Sequence, residues 1–136
     1  MKKSSYSFPK EERLCLKKQI AQLFEQGESL MSYPVRLKYL LVDAPVGSPA
    51  KCLFSVPKKL FKRAVKRNLI RRRLREAYRL HKAELYTNIP EGKQLLIAFI
   101  YLDNKVLDYT SGENAIRKAF AKLTPQIRTI TNKQNG

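Results

Sequence analysis

Leu16, Ile20, Leu23 and Phe24 recur at helical spacing and predict a first helix over about 16–26, with Gly27 as its stop. The period then changes to two. Val35, Leu37, Tyr39 and Leu41 point one way while Arg36, Lys38 and Leu40 point the other, which predicts a half-buried strand with a basic outer face. A loop carrying Pro45, Gly47 and Pro49 separates it from a second strand over 51–56, where Cys52, Phe54 and Val56 share one side. Pro57 ends that strand. The longest helix is predicted over about 64–86, and Pro90 with Gly92 marks the break after it. Residues 95–102 are apolar without alternation, as in a central strand covered on both faces. Thr110 with Glu113 fits a capping box for a last helix. Ala115, Ile116, Ala119, Phe120 and Leu123 form its inner stripe, and the polar tail after Pro125 is expected to fray. The order helix, strands, helix, strand, helix implies an α+β sandwich with helices packed on one sheet. Residues 1–10 read as a flexible basic arm, 11–125 as a single domain and 126–136 as a polar tail.

Charge sharpens this outline. The 136 residues carry 28 Lys+Arg against 11 Asp+Glu, a formal net charge of +17. A compact chain with that excess repels itself unless a polyanion neutralises it, and nucleic acid is the obvious polyanion. With 43% hydrophobic residues, the chain is no disordered basic tail. No apolar run approaches the ~18 residues a membrane span needs, and no apolar segment follows Lys2 and Lys3 as a secretory signal would require. Cys15 and Cys52 have no metal-ligand spacing and read as free thiols of a reducing, cytoplasmic compartment.

The placement of the charge matters more than its amount. Residues Lys58 to Lys82, including Lys62 and Lys66, hold twelve basic side chains and one acid, Glu76. On a helix Asn68, Arg72, Arg75 and Arg79 make one stripe with Arg71 beside it, while Ile70, Leu74, Ala77, Tyr78, His81 and Leu85 gather on the opposite side. One face can anchor on a sheet and the other can present guanidinium forks, which meet phosphate oxygens bidentately and stack on bases. A solvated face would mix charge signs. A polybasic targeting signal would need no apolar back, and a membrane-surface helix would need that back for lipid.

Two runs carry a resemblance. Phe54-Ser55-Val56-Pro57-Lys58-Lys59, followed by the stretch from Ala64-Val65-Lys66-Arg67-Asn68 to Arg75-Glu76-Ala77-Tyr78-Arg79, resembles the signature of the bacterial ribonuclease P protein. In that family a strand ending in Ser-Val-x-Lys-Lys leads through a short loop to an Arg-Asn-rich helix. The resemblance implies an α-β sandwich, helices packed on a roughly four-stranded sheet, with a left-handed βαβ crossover. It implies contacts with the catalytic RNA by Lys58, Lys59, Arg67, Asn68, Arg71, Arg72 and Arg75, with Lys62, Lys66 and Arg79 on the same basic segment. It also implies a cleft for the single-stranded 5′ leader of precursor tRNA, matched here by Ile20, Phe24, Arg36 and Lys38. The sequence departs from the family at Leu69, where a basic residue is usual, and at Ile20 and Lys38, where aromatics are common.

The polypeptide offers little of its own for hydrolysing a phosphodiester. Its one histidine, His81, falls on the apolar side of the long helix, its acids are scattered, and no phosphate-cradling Gly-rich loop occurs. The resemblance implies that Mg2+ is held by the RNA subunit and substrate, that the partners are the catalytic RNA and precursor tRNA, and that neither a membrane nor a small-molecule ligand is involved. Two other readings stay open at this point: a non-catalytic RNA-binding protein such as a ribosomal protein, and a nuclease whose acids converge only in the fold.

Overall fold

Strand hydrogen bonding joins four segments into one mixed sheet. The computed structural model describes residues 10–44 and 47–135. In chain order these form α1 (Lys17–Gln26), β1 (Glu28–Ser32), β2 (Val35–Asp43), β3 (Ala50–Ser55), α2 (Ala64–Tyr86), β4 (Lys93–Tyr101) and α3 (Tyr109–Asn135), preceded by a 3-10 turn at Lys10–Glu12. The sheet order is β1-β2-β4-β3. Strands β1, β2 and β4 pair antiparallel, whereas β3 pairs parallel with β4 around α2 and makes a βαβ unit. The expected arm over 1–10 lies almost wholly outside the described residues.

Alternation in β2 sorts the two faces. Val35, Leu37 and Tyr39 join Cys52, Ile97, Phe99 and Tyr101 in the main core under α2 and α3. On the other face Leu40, Val42, Leu53, Leu96 and Ala98 meet Leu23 and Ile20 of α1. Strand β4 is covered on both faces, which is why its sequence does not alternate. Phe54, Tyr78, Phe99 and Phe120 pack edge-to-face or stacked, with neighbouring ring centroids 5.2–6.5 Å apart. Gly27 is needed for closeness rather than for an unusual φ. A Cβ there would stand 2.3 Å from the Leu23 carbonyl oxygen and 2.9 Å from that of Tyr39.

Two expectations about α3 are corrected. The cap is Asp108, not Thr110: its carboxylate accepts from the Ser111 backbone N–H at 3.1 Å and the Ser111 hydroxyl at 2.6 Å. These bonds hold the Asp108 carboxyl below its ordinary pKa. Gly112 sits in the first turn because a Cβ would come within 2.9 Å of Leu107 Cδ2. The helix also runs through Pro125 to Asn135 instead of fraying there. Leu123 and Ile127, one turn apart on the inner side, are both fully buried, and that packing outweighs the backbone hydrogen bond that proline removes. The polar tail expected over 126–136 therefore begins as helix. Strand β1 was not foreseen from its own residues. It is a short edge strand whose Glu28, Ser29 and Met31 are exposed, so it carries little apolar signal.

Candidate nucleic-acid interface

Helix α2 is built from two unlike faces. Ile70, Leu74, Ala77, Tyr78 and Leu85 are buried against the sheet and α3. Asn68, Arg72 and Arg75 are exposed on the outer side, and Arg71 is half-buried beside them, donating to Asn68 Oδ1 at 2.7 Å. This bond orients one guanidinium along the stripe and uses the Asn68 carbonyl. Among the described residues no carboxylate pairs with Arg71, Arg72 or Arg75. With Val65 and Leu69 these residues line a shallow open groove along the helix. Val65, 78% exposed, is an apolar spot that sequence reading passed over, although its spacing to Asn68 and Arg72 places it on the same stripe.

The loop between β3 and α2 brings Lys58, Lys59 and Lys62 to the surface, and Lys66 follows in the first turn of α2. Val56 and Phe61 pin this loop into the core, and Leu60 N donates to the Pro57 carbonyl at 3.1 Å. Arg67 holds it from the helix side. Its Nη1 donates to the carbonyl oxygens of Phe61 at 2.7 Å and Lys62 at 2.9 Å, and the residue is only 9% exposed.

A second basic surface lies on the opposite face of the sheet, beside α1. Lys38 Nζ stands 5.8 Å from the centre of the half-open Phe24 ring, within cation–π range. Arg36, two residues along β2 on the same face, is exposed and donates to Ser29 Oγ at 3.3 Å. Ile20 is half-buried in the small core that α1 makes with the sheet.

The family model described as Ribonuclease P matches residues 8–124. The chain belongs to the ribonuclease P protein family. It is 33% identical over 126 residues to the ribonuclease P protein component of Porphyromonas gingivalis, with 91% of each chain covered. It is 35% identical over 131 residues to that of Chlorobium phaeobacteroides, covering 90% of this chain and 88% of the relative. The fold is similar to a solved structure of the Staphylococcus aureus RNase P protein, with a TM-score of 0.60, 20% identity, and 82% and 94% of the two chains covered.

Within the family's signature the structure separates residues that sequence reading grouped together. Lys58, Lys59, Lys62, Lys66, Asn68, Arg71, Arg72 and Arg75 share the outer surface. Arg67 does not: it was expected to contact RNA, but its guanidinium is turned inward to the loop carbonyls. Arg79 lies at the end of the stripe, yet its guanidinium is hydrogen-bonded to the Glu76 carboxylate, whose pKa that contact lowers. Arg73 faces the other way and donates to the Leu107 carbonyl. Lys82 is buried against Glu12. His81 is a half-buried boundary residue with Nε2 3.3 Å from Glu113 Oε2, and the adjacent imidazole together with a hydrogen bond from the Tyr109 hydroxyl holds the Glu113 carboxyl below its ordinary range. Among the described residues no three His, Cys, Asp or Glu side chains gather as metal ligands, and no helix is long and apolar enough to cross a membrane. Both cysteines are free, Cys15 exposed and Cys52 buried.

Proposed function

We propose that the chain acts as the protein subunit of ribonuclease P, using α2 and its preceding loop to bind the catalytic RNA and the α1–β2 face to guide the 5′ leader of precursor tRNA. The carrying observation is the two-faced α2, with a sheet-anchored back and a front on which Arg71, Arg72 and Arg75 pair with no carboxylate among the described residues. Two RNAs that must approach each other repel, and a rigid basic surface between them lowers that repulsion while releasing condensed counterions. Lys58, Lys59, Lys62 and Lys66 extend the surface as point charges, while Arg71, Arg72 and Arg75 add directional forks.

The α1–β2 face has a different chemistry. Phe24 offers one ring, already approached by Lys38, with Arg36 beside it; this suits a single strand held through phosphates and at most one stacked base. Stacking contributes roughly 1–3 kcal/mol per base, so one ring in place of several shifts leader binding toward charge. The donor set of the described residues offers no carboxylate clamp for hydrolytic metals. In the proposed reading Mg2+ belongs to the RNA subunit and substrate, and the polypeptide alone does not cleave. A cytoplasmic location belongs to the same proposal.

Reconstitution with the cognate catalytic RNA and a precursor tRNA at low Mg2+ tests it. The expected result is stimulation of leader removal by the protein and no cleavage by the protein alone. Absence of stimulation defeats the proposal, and cleavage without RNA replaces it with a polypeptide nuclease.

A further inference from the structure

The outer front of α2 is not uniformly basic. Val65 and Leu69 stand one helical turn apart on it, Val65 78% exposed and Leu69 half-buried. Neither belongs to the hydrophobic core on either face of the sheet, so their apolar surface contributes little to folding. Single exposed aliphatic residues are ordinary on a protein surface. These two differ in their surroundings. They adjoin Asn68, Arg71, Arg72 and Arg75 in one shallow groove of about 590 Å³, and among the described residues no carboxylate lines it. That volume falls within the ~300–1,000 Å³ of sites that hold one small ligand. Leu69 is also the position at which the sequence departs from the family's usual basic residue.

A phosphate gains nothing from an aliphatic contact. A paired RNA helix turns phosphates, riboses and 2′-hydroxyls outward and keeps the faces of its bases stacked inside. An apolar step between guanidinium groups is matched instead by a base that has left the stack. Its face can lie on Val65 and Leu69 while the phosphates beside it meet Arg72 and Arg75. Asn68 adds a direction. Arginine only donates, so the 2.7 Å bond from Arg71 Nη1 fixes which end of the Asn68 carboxamide is engaged. What Asn68 keeps for a ligand is its amide N–H2, a donor suited to an acceptor on a base edge.

We infer, on the reading of α2 as the catalytic-RNA surface, that Val65 and Leu69 form a seat for one unpaired nucleobase of that RNA. Arg72 and Arg75 hold its flanking phosphates, and the Asn68 amide donates to its edge. The seat makes binding depend on RNA structure. A loop or bulge can fill it and a continuous helix cannot, a distinction that charge alone does not draw.

Binding of the full chain to the cognate catalytic RNA, measured over a range of salt, separates an apolar contact from an ionic one. Losing a phosphate contact changes the slope of log K against log salt, whereas losing an apolar contact lowers log K equally at every salt concentration. A Val65→Ser/Leu69→Gln double variant leaves every cation in place. It is expected to bind about tenfold more weakly with the wild-type slope, the scale of covering two aliphatic side chains on one side. Val65→Ile should bind as the wild type. Arg72→Ala is the control for the underlying reading and should flatten the slope. If it does so while the double variant binds as the wild type, or loses slope together with affinity, the seat is overturned and the α2 surface stands. If Arg72→Ala leaves binding unchanged, the α2 reading falls and the seat with it. A photo-crosslinker attached at Val65→Cys in a Cys15→Ser background identifies the occupant, since Cys52 is buried. Crosslinking to an unpaired nucleotide of the catalytic RNA is expected. Crosslinking confined to paired nucleotides or to the leader of precursor tRNA, or none at all, overturns the inference.

Discussion

Replacing Arg67 by Met separates a structural arginine from the outward-facing ones on the same helix. Met keeps the apolar stem and deletes the guanidinium, which donates to the Phe61 and Lys62 carbonyls at 2.7 and 2.9 Å from a site only 9% exposed. Hydrogen bonds from a charged donor contribute roughly 1.5–3 kcal/mol each, and about 2 kcal/mol of arginine rotamer entropy is recovered on its removal. The net loss is expected to be ~1–4 kcal/mol. At ~4 °C per kcal/mol for a chain of this length, Tm should fall by about 4–16 °C. Thermal unfolding followed by circular dichroism reads this directly. Salt-dependent binding to the catalytic RNA, measured well below Tm, supplies the second axis. Arg67→Met should keep the wild-type salt slope, whereas Arg72→Ala should keep the wild-type Tm and flatten the slope. The reasoning is refuted if Arg67→Met melts with the wild type and instead loses salt dependence, since that is the behaviour of a phosphate contact.

The two basic surfaces should also respond separately. Arg72→Ala with Arg75→Ala is expected to weaken catalytic-RNA binding and flatten its salt slope by about 0.9 per contact on the duplex scale, while Arg36→Ala with Lys38→Ala should lower affinity only for substrates that carry a leader; equal effects on leaderless tRNA would show one surface, not two. Ile127→Ala should cost ~2–5 kcal/mol in denaturant unfolding, as for a fully buried aliphatic residue, although it lies beyond Pro125; a neutral result would restore the frayed tail. Burial pushes the Cys52 thiol pKa up, whereas Cys15 is exposed, so a thiol reagent should label one cysteine quickly in the native protein and the second only on unfolding.

Most of the fold was legible because its segments are strongly patterned. The period-two alternation of Val35, Leu37 and Tyr39 marks a sheet face, and the predicted bounds of the long helix coincide with α2. Where reading failed, the deciding contact is distant in sequence or is made by backbone. β1 has almost no apolar signal and exists because β2 offers it an edge. The helix past Pro125 is held by burial of Ile127, which local propensity opposes. Asp108 was passed over because Thr110 and Glu113 satisfied a motif two residues later, while Gly112 only made sense against Leu107.

The candidate site shows the same limit in a sharper form. Periodicity on α2 correctly separates front from back, because the apolar side must meet the sheet. It cannot rank cations, since every arginine looks alike until its neighbours are known. Arg67, Arg73, Arg79 and Lys82 are each turned to something particular: loop carbonyls, the Leu107 carbonyl, Glu76 and Glu12. Of these partners only Glu76 lies within one helical turn and could have been found by spacing. Glu12 is seventy residues from Lys82, and it converts the most basic stretch of the chain from a uniform charge run into a surface with a defined end. Specific recognition of a polyanion depends on that definition. Twelve equivalent cations would bind any phosphate chain, whereas four tied to particular partners leave a bounded set whose spacing can match one RNA surface better than another.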